Sequence, residues 1–108
     1  MFVKLYQYHI QKDKENEFFA IQEKVFDIYR KHLDVHLTYL QSKFDETKWL
    51  EIATYKNEAE YKQCIQQINE EQEIQRLFSA FQLLLVEGKQ EISEEDFVLK
   101  KRLFSSAT

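Results

Sequence analysis

Two histidines and one glutamate are the side chains with which this sequence could bind a metal ion. His9 and His36 lie in neighbouring predicted strands, and Glu51 lies in a third. Imidazole nitrogens and a carboxylate oxygen are ligands that zinc accepts in tetrahedral sites. No spacing motif connects the three residues, so we interpret the histidines as strand residues at a sheet end or a dimer seam. The sequence therefore predicts no metal site.

Glu51 is also a candidate for acid–base chemistry, because it falls in the middle of a predicted strand whose surface should be partly buried. A carboxylate in such a place needs a partner. Lys4, Lys100 or Arg102 could reach it across the sheet, and we favour this structural ion pair. The functional alternative is a general base whose pKa has been raised by burial.

Aromatic residues are more numerous than a thin core requires, with nine Phe and six Tyr among 108 residues. Part of this surplus is expected to pack against a ligand or a second subunit, because large exposed apolar patches are rare on monomers. One aromatic set is divided between the predicted sheet and the second helix: Tyr6, Tyr8, Tyr39, Trp49, Tyr55, Tyr61, Phe78 and Phe81. A cavity lined by these rings would suit a flat apolar ligand, and packing in the core and interface is the simpler interpretation.

The remaining reactive side chains favour inert roles. Cys64 is the only cysteine, so no intrachain disulfide can form. It falls on a buried helical stripe without an activating histidine or cation, and we expect a packed thiol. Arg76 could reach an anionic ligand but is interpreted as solvated. Gly88 is the only glycine, which excludes a glycine-rich phosphate loop.

Charge and hydropathy argue against two further classes of protein. The net charge is −4, and the one dense basic run, Lys100-Lys101-Arg102, is interpreted as solvent contacts or ion pairs within a strand, so no nucleic-acid partner is predicted. No stretch approaches the ~20 apolar residues that cross a bilayer, and Lys4 interrupts the N-terminal apolar run. We predict one cytoplasmic domain spanning residues 1–108, without a membrane partner.

Hydrophobic periodicity in the first half of the chain predicts three strands and one helix. Residues 2–10 alternate and are rich in strand-forming Tyr, Phe, Val and Ile, which predicts strand one. Asp13 is expected to cap a helix whose apolar stripe runs from Phe18 to Leu33. Residues 35–44 and 49–55 alternate again around a short polar break, which is typical of an antiparallel hairpin.

The second half predicts a broken helix and a fourth strand. Asn57 and Glu60 have the spacing of a capping box. Two apolar stripes follow, and they are out of phase across the polar residues 69–73, so we predict a kink or loop there and a longer helix ending near Gly88. Residues 89–95 are polar and loop-like. Residues 97–104 alternate and are predicted as strand four.

The order β-α-β-β-α-β is the ferredoxin-like pattern of an α+β fold, with a four-stranded antiparallel sheet and both helices on one face. Each strand carries hydrophobic residues on both sides of its alternation. The face without helices must therefore be covered. A second copy packed sheet against sheet about a two-fold axis would cover it, so the sequence predicts a homodimer.

The element order and chain length resemble the dimeric α+β barrel superfamily, especially its antibiotic-biosynthesis-monooxygenase-like domains. In that family an aromatic residue at the end of strand three is followed by a small polar helix cap, an acidic residue and a second aromatic. The run Tyr55-Lys56-Asn57-Glu58-Ala59-Glu60-Tyr61 is similar. The break at residues 69–73 is also similar to the family's broken second helix.

This resemblance implies a ligand cavity between sheet and second helix, and oxidation of aromatic substrates by molecular oxygen without a cofactor. Members that cleave haem use an Asn on strand one with a Trp and a His on or near the second helix. Here strand one has Gln7 and His9, Trp49 begins strand three, and no His follows His36. Haem cleavage by those residues is therefore not expected, and no cofactor is predicted.

The sequence thus predicts a dimeric α+β barrel domain, monooxygenase-like and cofactor-free, that binds a small aromatic or apolar molecule. The alternative is a non-catalytic dimerisation or ligand-sensing domain. The candidate pocket residues are His9, His36, Trp49, Glu51, Tyr55, Tyr61, Phe78 and Phe81.

Overall fold

The fold is a four-stranded antiparallel sheet with three helices against one face, in a computed structural model that describes residues 1–107. The elements in chain order are β1 (Phe2–His9), α1 (Glu15–Tyr29), β2 (Val35–Gln41), β3 (Lys48–Tyr55), α2 (Glu58–Glu70), α3 (Gln72–Gln82) and β4 (Ser93–Val98). The strand order across the sheet is β2-β3-β1-β4. This is the predicted ferredoxin-like α+β topology.

The predicted hairpin is confirmed, and its turn is built from polar side chains in place of glycine. The hydroxyl of Ser42 accepts hydrogen bonds from the backbone N–H groups of Phe44 and Asp45. Asp45 in turn accepts from the backbone N–H and the hydroxyl of Thr47, at 3.0 and 2.7 Å. Such Asx- and Ser-type turns let the chain reverse without a left-handed residue.

The predicted break in the second helix is also confirmed. The Asn57 side chain accepts a hydrogen bond from the Glu60 backbone N–H at 2.7 Å and caps α2. Glu71 then adopts an extended conformation between α2 and α3. Ile68 and Ile74 flank the break and are both fully buried, so the break is what brings two out-of-phase apolar stripes onto the same core.

Two helix boundaries differ from the sequence expectation. A short 3-10 turn, Lys12–Lys14, precedes α1, and no side chain caps that helix, so Asp13 is not the predicted cap. The second part of the predicted broken helix, α3, ends at Gln82, well before Gly88. It ends early because residues 84–86 return to the end of β1: Gln11 N–H donates to the Leu84 carbonyl, and Val86 N–H donates to the His9 carbonyl.

The fourth strand covers Ser93–Val98, so the predicted bounds of residues 97–104 are wrong, and the segment predicted as a loop contributes its first residues. Lys4 is buried on β1, and its ammonium lies 2.6 Å from Glu94 and 2.7 Å from Asp96. A buried ammonium needs anionic partners, so this pairing favours an acidic edge strand over the more apolar segment that follows. The basic run Lys100-Lys101-Arg102 lies beyond β4 and is exposed.

The helices cover only one face of the sheet. On β1 the covered side carries Phe2 and Tyr8, which are buried in two hydrophobic clusters. The uncovered side, named here the outer face, carries these apolar residues: Val3, Leu5, Leu40, Leu50, Ile52 and Phe97. No helix within residues 1–107 has both the length and the apolar character needed to cross a membrane.

Candidate functional site

A cavity of about 300 Å³ lies between the sheet, α1 and α3. Its apolar wall is formed by Ile21, Val25, Leu37, Phe78, Phe81 and Ile92. Phe78 and Ile92 lie at the mouth of the cavity and are 42% and 40% exposed. The volume is at the lower end of the range of small-molecule sites, about 300 to 1,000 Å³.

Glu51 places a carboxyl group in this cavity wall, and its partner is a tyrosine. The Tyr8 hydroxyl donates to Glu51 Oε1 at 2.7 Å. No cation pairs with Glu51 among residues 1–107, so the predicted ion pair with Lys4, Lys100 or Arg102 is wrong. Lys4 is already held by β4. Burial raises the pKa of Glu51 because desolvation disfavours the carboxylate, and the hydrogen bond from Tyr8 only partly opposes this.

Four tyrosines complete the polar part of the wall: Tyr6, Tyr8, Tyr29 and Tyr55. Burial raises the pKa of each hydroxyl, and neighbouring Tyr and Glu side chains raise it further. The phenols therefore stay neutral and keep their protons to donate. Gln22 joins them from α1, and its side-chain oxygen accepts from the Tyr39 hydroxyl at 2.7 Å.

A packed group of rings supports the wall from behind. Phe18 is fully buried. Its ring centroid lies 5.1 Å from Trp49, 5.8 Å from Tyr8 and 5.7 Å from Tyr39. Offset and edge-to-face contacts at these separations are favourable. The rings thus hold Tyr8, and through it Glu51, in one orientation.

The structure brings half of the predicted pocket residues together. Glu51, Tyr55, Phe78 and Phe81 line the cavity. Trp49 does not line it; its ring is buried in the supporting group behind the wall. The Tyr61 ring lies outside the cavity, 5.4 Å from Phe2 and 5.2 Å from the Lys4 ammonium.

The two histidines do not meet, and neither reaches the cavity. Both lie on the outer face. His36 lies opposite Thr54, and Thr54 lies opposite Val3, six residues from His9 along β1. That separation is about 20 Å at 3.3 Å per residue. His9 contacts the Thr47 hydroxyl at 2.9 Å instead. Residues 1–107 contain no group of three metal-ligating side chains.

Sequence reasoning missed the contribution of α1 to the cavity. Phe18, Gln22, Val25 and Tyr29 recur at intervals of four, three and four residues. That spacing is typical of the buried stripe of a helix. A polar Gln22 inside an apolar stripe was the available signal, because a buried amide needs hydrogen-bond partners.

No protein-family model matches the chain. No curated protein matches it with significant similarity. Solved structures do match. An uncharacterized NIPSNAP domain protein from Burkholderia xenovorans aligns with a TM-score of 0.73 at 13% identity, covering 97% of this chain and 100% of that one.

Two further neighbours are oxygenases by their descriptions. A variant of SnoaB, a cofactor-independent oxygenase from Streptomyces nogalater, aligns with a TM-score of 0.70 at 10% identity, covering 94% of this chain and 95% of that one. An antibiotic biosynthesis monooxygenase aligns with a TM-score of 0.67 at 11% identity, covering 94% and 100%. This chain therefore has the α+β fold that NIPSNAP and antibiotic biosynthesis monooxygenase-like proteins share, and the resemblance to the second group was predicted from the sequence.

Proposed function

We propose that this chain is a single-domain cytoplasmic homodimer that binds a small, flat aromatic or apolar molecule in the cavity between sheet and helices. The observation that carries the proposal is the cavity of about 300 Å³ with an apolar wall and a Glu51–Tyr8 pair. A cavity of about 150 Å³ accepts benzene, so this one has room for a bicyclic molecule.

The enzymatic form of the proposal is a cofactor-free oxygenase. SnoaB is described as a cofactor-independent oxygenase, and its fold is shared. Such chemistry needs a base that ionises the substrate, and Glu51 is the carboxyl group of the cavity. The CH2 group of a bicyclic substrate with acidic C–H bonds, such as 2-indanone, would pass one proton to the Glu51 carboxylate. The resulting carbanion would give two electrons to O2 and bond to it, and return of the proton from Glu51 would complete a hydroperoxide. Loss of the second C–H proton would then leave that electron pair to form the carbonyl and break the O–O bond, so that one oxygen atom stays in the product and the other leaves as water with both protons.

The alternative is a ligand-sensing or dimerisation domain that binds without chemistry. Two measurements separate these forms. Oxygen uptake with 2-indanone above the uncatalysed rate supports the oxygenase, and a Glu51→Gln variant should then lose most of that rate. Ligand binding without oxygen uptake supports the sensing domain.

Binding itself is tested with 2-ethylnaphthalene, an apolar bicyclic probe. We expect saturable binding of one molecule per chain, measured by equilibrium dialysis. Val25→Phe places a ring in the cavity wall and should weaken binding at least tenfold. Leu83→Phe is the matched control, because Leu83 is 80% exposed and lies outside the wall. Equal binding by both variants, or none by the unchanged protein, would contradict the proposal.

The homodimer part of the proposal rests on the outer face. Its apolar residues have no helix over them, and large uncovered apolar patches are rare on monomers. The segment after β4 carries two further exposed apolar side chains, Leu103 and Phe104, at 83% and 87% exposure. A two-fold pairing of outer faces would bury the apolar residues of that face.

Sedimentation at micromolar concentration is therefore expected to give a dimer. Leu5 and Ile52 are directly opposite each other on β1 and β3, in the middle of the outer face. Leu5→Lys would bury an unpaired charge at that pairing and should shift the protein to monomers. Leu83→Lys, on the exposed loop after α3, should leave the dimer intact. A monomeric unchanged protein would refute this part of the proposal.

A further inference from the structure

The cavity contains several hydrogen-bond donors that no protein atom uses. The hydroxyls of Tyr6, Tyr29 and Tyr55 donate to no protein atom among residues 1–107, whereas those of Tyr8 and Tyr39 do. Every fully buried side-chain nitrogen and oxygen atom in that part of the chain has a partner. The three unpaired hydroxyls therefore open onto free space, and the space they share is the cavity.

Gln22 supplies a further donor. Its side-chain oxygen is occupied by the Tyr39 hydroxyl. The two N–H groups of the amide therefore remain to donate. On the acceptor side, Glu51 Oε1 is occupied by Tyr8, so only the second oxygen of that carboxyl group remains for a ligand.

The wall also lacks a positive charge. No Lys, Arg or His among residues 1–107 lines the cavity. Lys4, the one buried cationic side chain in that range, is neutralised by Glu94 and Asp96. An anionic ligand would lose its hydration without gaining a counter-charge. It would also face the Glu51 carboxyl group, so the cavity disfavours carboxylates.

We propose that the ligand is a neutral aromatic molecule that carries hydrogen-bond acceptors, of the aryl ketone class. Its rings would pack on Val25, Leu37 and Phe81, and its carbonyl oxygen would accept from the cluster of tyrosine hydroxyls. This inference rests on the proposed function, because it names the ligand class of the same cavity.

A series of three bicyclic molecules of similar shape tests it: 2-acetonaphthone, 2-ethylnaphthalene and 2-naphthoate. A carbonyl oxygen accepts two hydrogen bonds, so the ketone should bind about tenfold more tightly than the ethyl compound. The carboxylate should bind at least tenfold more weakly than the ketone. Equilibrium dialysis at pH 7 measures all three dissociation constants on the unchanged protein.

Two variants test which tyrosine hydroxyls contribute to the affinity for the ketone. The double variant Tyr6→Phe, Tyr55→Phe keeps both rings and should lose about tenfold in affinity for the ketone, with no change for 2-ethylnaphthalene. Tyr61→Phe is the matched control, since it removes a hydroxyl outside the cavity, and it should change neither affinity. If the double variant does not fold, the ligand series on the unchanged protein still decides.

The outcomes separate this inference from the function on which it rests. If none of the three molecules binds, the proposed function fails and this inference fails with it. If the ketone and the ethyl compound bind equally, or if the carboxylate binds most tightly, the cavity still binds ligands but the assigned class is overturned.

Discussion

The protein is expected to unfold steeply as the pH rises above about 10, the ordinary pKa of tyrosine. Burial raises the pKa of each of its six tyrosines. In the unfolded chain these hydroxyls ionise at their ordinary pKa, whereas in the folded chain they keep their protons. The unfolded state therefore binds fewer protons above that pH, and the free energy of unfolding falls as the pH increases.

The size of the effect follows from linkage. Each buried tyrosine that stays protonated removes about 1.4 kcal/mol of stability per pH unit. If only three of the tyrosines stay protonated in the folded state, the free energy of unfolding falls by about 4 kcal/mol per pH unit. The total stability of a domain is about 5 to 15 kcal/mol. Below the ordinary pKa of tyrosine both states are protonated, so the stability contributed by these groups is fully present there.

Circular dichroism and the ultraviolet absorbance of tyrosinate measure this transition together. We expect both signals to change in one cooperative step. Tyr29→Phe removes one titrating group and should make the loss of stability with pH less steep, whereas Tyr61→Phe, at the less buried position, should change it less. Gradual ionisation of all six tyrosines at their ordinary pKa with an intact dichroism spectrum would contradict the prediction.

Phe18→Ala is expected to cost about 3 to 5 kcal/mol in the free energy of unfolding, the usual cost of truncating a buried Phe. Phe18 is fully buried. Its ring contacts five others, those of Tyr8, Phe19, Tyr39, Trp49 and Phe81. Truncation leaves a cavity between two helices and the sheet, and removes the support of Tyr8 and hence of Glu51.

Guanidinium denaturation followed by Trp49 fluorescence checks this prediction. Phe44→Ala is the matched control: Phe44 lies in the β2–β3 turn and is 96% exposed, so its truncation should cost almost nothing. A similar loss for the two variants would show that the ring group behind the cavity wall does not hold the core together.

Local patterns determined much of this protein. The alternation of β1, the hairpin and the change of phase near residues 69–73 are each contained in a few neighbouring residues, and all three are present in the structure. The Asn57 cap is likewise a contact between residues three positions apart. Such features depend on short-range geometry, which the order of residue types specifies directly.

Long-range pairing decided the rest. Lys4 and Asp96 are 92 positions apart, and their contact sets the register of β4, which no local pattern displays.

The partner of Glu51 was equally undetermined, because both sides of the β1 alternation are apolar enough to face the helices. Once the helices cover the side that carries Tyr6 and Tyr8, Glu51 on β3 must lie beside them and away from both histidines. A strand side chain points to one face or the other, so a single choice made by tertiary packing assigns every residue of the sheet either to the cavity or to the outer face.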